Sequence, residues 1–340
     1  MPFGPTVFPS GGSRYLLYEL HLTNFGSAPL SIHRIEVLEA DTSATKPVVA
    51  FEAEQLNAML MYVGGKAASN PKESIVIASG QRVVVFMFVT FDAGSPIPRR
   101  LIHRIVTADS EAEGAATSTN NTTLHVLGPP VEGAGWLAAD GPDNDQDNHH
   151  RRGVVILDGR AVISRRYAID WKQVKDDASY SGDSRDVRSY YAYDKTVLAV
   201  ADGRVVAARD GLPDNTPGHG SSFHSAIPIT LETIAGNTIT LDLGGDQFAY
   251  YMHLEPGSLR VKAGDRVRRG QILAHVGCSG DAREPHLHFE VTDSSKPLSG
   301  EGVPYLIDRY HSKNVNGALE LHTHELPLNK SVVVFEGHGR

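Results

Sequence analysis

The residues best able to do chemistry in this chain are histidines, and the densest group is Pro285-His286-Leu287-His288-Phe289-Glu290. In a strand, residues two apart share a face and lie about 6.6 Å apart at ~3.3 Å rise per residue. His286 and His288 therefore point one way, while apolar Leu287 and Phe289 point into a core. Two imidazoles on one face either share a metal, or one binds metal while the other moves protons. Alone, the pattern is more often two polar residues on a half-buried strand. Its neighbours decide between the two.

The elements that must position this pair are strands. The chain has 340 residues, 41% hydrophobic and 21% charged, which describes an ordinary globular protein large enough for two domains. A net charge of −8 with no Lys/Arg run argues against nucleic-acid binding. Cys278 is the lone cysteine, so no internal disulfide forms. No apolar stretch reaches the ~20 residues that span a bilayer, and MPFGPTVFPSGGS lacks the regions of a signal peptide.

Over residues 1–130 the pattern, β from Arg14 onward, predicts a β-sandwich of immunoglobulin-like type. RYLLYELHLTNFG, SIHRIEVLEA, RVVVFMFVTF, RRLIHRIVTA and NTTLHVLG read as strands, and 52–62 as one short helix. The unbroken run in RVVVFMFVTF fits burial on both faces. His21, His33, His103 and His125 read as strand-face residues rather than ligands. Residues 131–152, rich in Pro, Gly, Asp and Asn, read as a linker. A second β domain is expected over 153–310, opening with a hairpin whose Asp158-Gly159 suits a type I′ turn. A β tail over 311–340 carries a second H-x-H, His322 and His324, which lacks a nearby third ligand. Hairpins such as Val-Ala-Asp-Gly-Arg-Val-Val resemble the hammerhead of biotinyl and lipoyl carrier domains. No lysine stands at a tip, so a carrier function is excluded.

With Asp170 in RRYAID, His253 in YYMHL and the EPHLHFE run, the second half resembles the lysostaphin-like (LytM-type) zinc metallopeptidases. DGRVVAARDG, Tyr-x-His-Leu, GDRVRRGQILAHVGCSGD and PHLHFE recur in that family's order over roughly residues 160–295. The resemblance implies a duplicated-hybrid-motif β fold and Asp170 and His288 as zinc ligands. It also implies that His253 and His286 orient and deprotonate the attacking water and stabilise the oxyanion. The implied activity is a zinc-dependent endopeptidase acting on peptidoglycan cross-link peptides, in the periplasm or outside a bacterial cell. Three protein ligands and one open position suit catalytic zinc.

One position departs from the family. Arg166 stands where its H-x-G-x-D motif places the first zinc-binding histidine, and a guanidinium has no lone pair to give. If the hairpin ladder at Asp158-Gly159 continues, Arg151 faces Arg166 with His149 diagonal on the same face, and a one-residue slip puts His150 opposite instead, so His149 or His150 could supply the missing ligand. Otherwise the domain is a degenerate one that binds cell wall or regulates another hydrolase, or an adhesion-type β protein. His219 and His224, in a Gly/Ser-rich loop, are candidates for the rim of the cleft. Glu290 is a candidate outer acceptor for His288.

Overall fold

A computed structural model describes residues 3–41, 46–64, 74–120, 122–314 and 316–337. The fold is mostly β and divides into two compact units. The first comprises Met1–Thr123, Asp143–Arg152 and Asp158–Ala161; the second comprises Leu124–Pro142, Gly153–Leu157 and Val162–Arg340.

In the first unit, one sheet runs Phe8–Ser10, Ser13–Thr23, Arg82–Asp92, Leu60–Tyr62. The other runs Val49–Glu52, Leu30–Glu39, Arg100–Thr107, Glu111–Ser118, with Ile75–Ile77 also on Leu30–Glu39. Both sheets close on one core that includes Leu16, Tyr18, Ile35, Val37, Val85 and Met87, which makes the unit a sandwich. Val83 through Met87 are all buried, so the apolar run is indeed covered on both faces. The helix is shorter than its sequence suggests, Ala53–Met59, started by a Glu52/Gln55 capping box. Leu60–Tyr62 leaves it to pair with Val83–Val85, because ladder bonds there satisfy more backbone than another helical turn would. His103 is a satisfied core residue: its ring meets the Tyr18 hydroxyl at 2.9 Å and the Ala115 carbonyl at 3.1 Å. Burial holds its pKa down at about 4.

The second unit is built on a long sheet. Its order is Val126–Leu127, Leu306–Lys313, Val332–Phe335, Gly133–Ala139, Ile169–Gln173, Leu287–Thr292, Gln247–Leu254, Asn237–Gly244, Gly203–Arg209 and Arg266–Val267. Leu319–Glu325 adds to Leu306–Lys313, and Thr196–Leu198 pairs separately with Ile272–His275.

Two stretches differ from their compositional reading. Gly133–Ala139, within the stretch read as linker, is an inner strand, fixed by fully buried Trp136 and paired to Ile169–Gln173. The following Asp143–Arg152 segment belongs to the first unit, where the Arg151 guanidinium pairs with Glu19 and reaches the Tyr18 and Met87 carbonyls. The C-terminal strands are part of the sheet rather than a tail, and Phe335 packs edge-on against Trp171 with ring centroids 5.2 Å apart.

Asp158 (φ 48°) and Gly159 (φ 77°) adopt the positive φ values of a type I′ turn. The strands beside them, Val155–Leu157 and Arg160–Val162, are only three residues each. The ladder extrapolated from this turn to Arg166 therefore does not form. Ser164–Tyr167 turns as a 3-10 helix instead.

Candidate active site

Adjacent strands bring the implied residues together. Asp170 pairs directly with His288 across Ile169–Gln173 and Leu287–Thr292, and Met252 pairs with His288 from the other side. Alternation then puts His286, His288 and Glu290 on the face shared with Asp170. Leu287 and Phe289 face the core, where Phe289 meets Tyr251 edge-on.

Strict alternation would send His253 to the core face with Tyr251. The backbone prevents this. His253 has φ 64°, next to a register shift opposite Asn237/Ile239. A left-handed non-glycine residue costs of order 1–3 kcal/mol and is retained where the fold over-determines it. The result is that the His253 ring lies 4.9 Å from that of His286 and 5.9 Å from that of His288, centroid to centroid.

Proton positions follow from acceptors that cannot donate. Nδ1 of His253 lies 2.8 Å from the Ser279 carbonyl, and Nδ1 of His286 lies 2.7 Å from the Glu284 carbonyl. Both must donate there, leaving each Nε2 with its lone pair. His286 Nε2 sits 3.4 Å from Asp170 Oδ1, and His288 Nδ1 sits 2.9 Å from the same oxygen. The other nitrogen of His288 faces Glu290 Oε2 at 3.4 Å, the acceptor expected for a held imidazole.

Asp170 and His288 are the pair in this cluster that could share a divalent cation, with Oδ1 and Nδ1 2.9 Å apart. Two buried carboxylates, Asp170 and Glu290, stand among three imidazoles, and Glu290 Oε1 has no hydrogen-bond partner among the described residues. A lone pair and a carboxylate oxygen aimed at each other repel unless a proton or a cation lies between them. Without metal, a proton fills the role. Burial alone would lower the His288 pKa, but Asp170 and Glu290 outweigh it and push it up to about 9. His253 goes the other way. Its burial, with the neighbouring His286 and His288, holds it well below the ordinary histidine range and keeps it neutral.

Arg166 is 1% exposed and pairs with Glu301 at 2.9 Å. Its guanidinium neutralises a carboxylate from the loop after the Leu287–Thr292 strand. His149 and His150 lie in the first unit, with ring centroids 4.3 Å apart. The loop of His219 and His224 is pinned just before the H-x-H run. Gly218 N–H donates to the Arg283 carbonyl at 2.9 Å, and the Arg283 guanidinium covers the Phe223 ring at 4.0 Å. His322 is saturated by Glu325 at 3.1 Å, Ser312 at 2.9 Å and stacking on Tyr310, which leaves it no metal-binding role.

Sequence reasoning missed a shell of residues behind the site. Lys172 Nζ meets Glu284 Oε1 at 2.8 Å, and Ser179 donates to Glu284 Oε2 at 2.8 Å. Asp214 accepts from Cys278 N–H at 2.7 Å and from the Tyr193 hydroxyl at 2.9 Å, bracing the peptide before Ser279. The i+2 spacing of Asp170 and Lys172 was the one signal that placed a charge on the site face.

Residues 186–299 match the family model for Peptidase family M23, a span that holds His253, His286 and His288 and begins downstream of Asp170. The chain is 31% identical over 115 residues to the peptidoglycan DD-endopeptidase ShyB of Vibrio cholerae, covering 33% of this chain and 26% of that protein. It is 38% identical over 82 residues to the glycyl-glycine endopeptidase ALE-1 of Staphylococcus capitis, covering 23% and 22% respectively. The chain thus spans about a quarter of the length of these curated relatives. No helix among the described residues is long and apolar enough to cross a membrane.

Proposed function

We propose that this chain, whose residues 186–299 match peptidase family M23, carries a lysostaphin-like zinc-dependent endopeptidase domain acting on peptidoglycan cross-link peptides. The observation that carries the reading is the convergence of Asp170 Oδ1, His288 Nδ1 and His286 Nε2, with His253 beside them. Asp170 and His288 would hold zinc, and Glu290 would hold His288. Bound there, zinc supplies a lowered pKa for water and a polarised scissile carbonyl.

The rest belongs to the chain's own side chains. His286 and His253 each have Nδ1–H tied to a carbonyl, so each offers an Nε2 lone pair to the attacking water. The proton taken there is returned to the leaving amine. Burial keeps His253 neutral with its Nε2 lone pair available, and makes it a weaker base than a solvated imidazole. Asp170 is the charged neighbour that favours a cationic His253, against burial and the nearby His286 and His288. The wall-peptide substrate follows the Vibrio cholerae relative, named as a peptidoglycan DD-endopeptidase.

Arg166 favours a second reading, in which the domain has lost zinc and only binds wall or regulates another hydrolase. Elemental analysis and a wall-digestion assay separate the two. Stoichiometric zinc lost in His288→Ala, with fragment release abolished in His286→Ala, supports the enzyme. Metal-free purified protein that binds peptidoglycan without cutting it overturns it in favour of the second reading.

A further inference from the structure

We propose that Lys172 and Ser179 are positioning residues for His286, acting through Glu284; the proposal rests on the peptidase reading for its consequence and on geometry for its substance. The Glu284 carbonyl is the group that accepts the His286 Nδ1 proton, at 2.7 Å. A carbonyl sets a tautomer only if its peptide is held, and Glu284 lies in a loop between Gly280 and the Leu287–Thr292 strand. Two side chains hold it. Lys172 grips one carboxylate oxygen and Ser179 the other, both at 2.8 Å, with the Lys172 and Glu284 side chains mostly buried (22% and 14% exposed).

The placement is specific. Lys172 projects from the Asp170 strand two residues on, hence on the same face. One strand therefore carries both the carboxylate that meets His286 Nε2 and the ammonium that fixes the acceptor of His286 Nδ1. Both ends of a single imidazole are thus referenced to Ile169–Gln173. Asn215 and Gly218 hold the loop from Gly280 to Arg283, so the clamp is what fixes the last peptide before the H-x-H run, at Glu284; without it the His286 proton can exchange to Nε2, which removes the lone pair the reaction needs.

The test uses the full chain as purified, labelled with 15N-histidine. In the wild type, His286 should show a single tautomer protonated at Nδ1. Lys172→Met and Glu284→Gln should each populate the Nε2-protonated form and lower kcat on peptidoglycan about 10-fold or more. KM and zinc content should be unchanged, and Lys172→Arg should restore most of both signals. A folded Lys172→Met protein whose His286 remains wholly Nδ1-protonated overturns the proposal. So does a loss of activity that tracks zinc content instead of tautomer. If the wild type cuts no wall peptide, the peptidase reading fails, and the tautomer measurement still decides the clamp.

Discussion

Replacing Asp170 by Asn tests the electrostatics of the site without relying on turnover. The carboxylate faces His288 Nδ1 at 2.9 Å, and the pair is buried. In metal-free protein, His288 then titrates near 9 instead of near the unfolded value of about 6.5. The sign follows from linkage. A pKa raised on folding stabilises the protein fully below pH ~6.5, and that contribution disappears as pH rises through about 9. At ~1.36 kcal/mol per pH unit, the whole contribution is on the order of 3 kcal/mol. Asp170→Asn keeps a carbonyl acceptor and removes the charge, so burial regains weight against Glu290 alone. The His288 Hε1 resonance, followed by NMR in chelator-treated protein, should titrate more than one pH unit lower in the variant. Urea unfolding at pH 6 and pH 9.5 should show a wild-type loss of stability that shrinks in Asp170→Asn. A wild-type His288 that titrates between pH 6 and 7, or one indifferent to the substitution, refutes the proposed charge focus.

Four further outcomes can be checked. Arg166→Met should destabilise the protein by about 3 kcal/mol, read by urea denaturation, because it removes the guanidinium that pairs with the mostly buried Glu301 carboxylate; an unchanged midpoint would mean that the pair carries no structural weight. His149→Ala and His150→Ala, made singly, test the third ligand expected from the sequence: zinc lost from one identifies the donor, and zinc retained in both removes that expectation. Asp214→Asn should loosen the Cys278–Ser279 peptide and so shift the His253 tautomer equilibrium, visible in 15N-histidine spectra, while zinc content stays constant. Because the His253 pKa is lowered by folding, its contribution to stability is present above pH ~6.5 and lost as pH falls below it. Opposing slopes from His253 and His288 should give the metal-free protein a stability maximum near neutrality.

Strand periodicity determines much of this protein. Alternation in Leu287–Thr292 puts His286, His288 and Glu290 on one face whatever the partner strands are, and Asp170 to Lys172 obeys the same rule. The both-faces-buried strand at Arg82–Asp92 and the left-handed turn at Asp158-Gly159 are also local, set by apolar continuity and by turn chemistry. Arg166 could be recognised as no ligand from its chemistry alone. Tertiary structure decided the remainder, because it depends on pairings between residues far apart in the chain. The Gly133–Ala139 strand looks like linker until buried Trp136 and two neighbouring strands claim it. The motif marks His253 as a site residue, but strand alternation would point it to the core, and its positive φ is what turns the ring toward His286. Lys172, Ser179 and Glu284 carry no motif, since a clamp spanning more than a hundred residues of chain exists only once the sheet has formed.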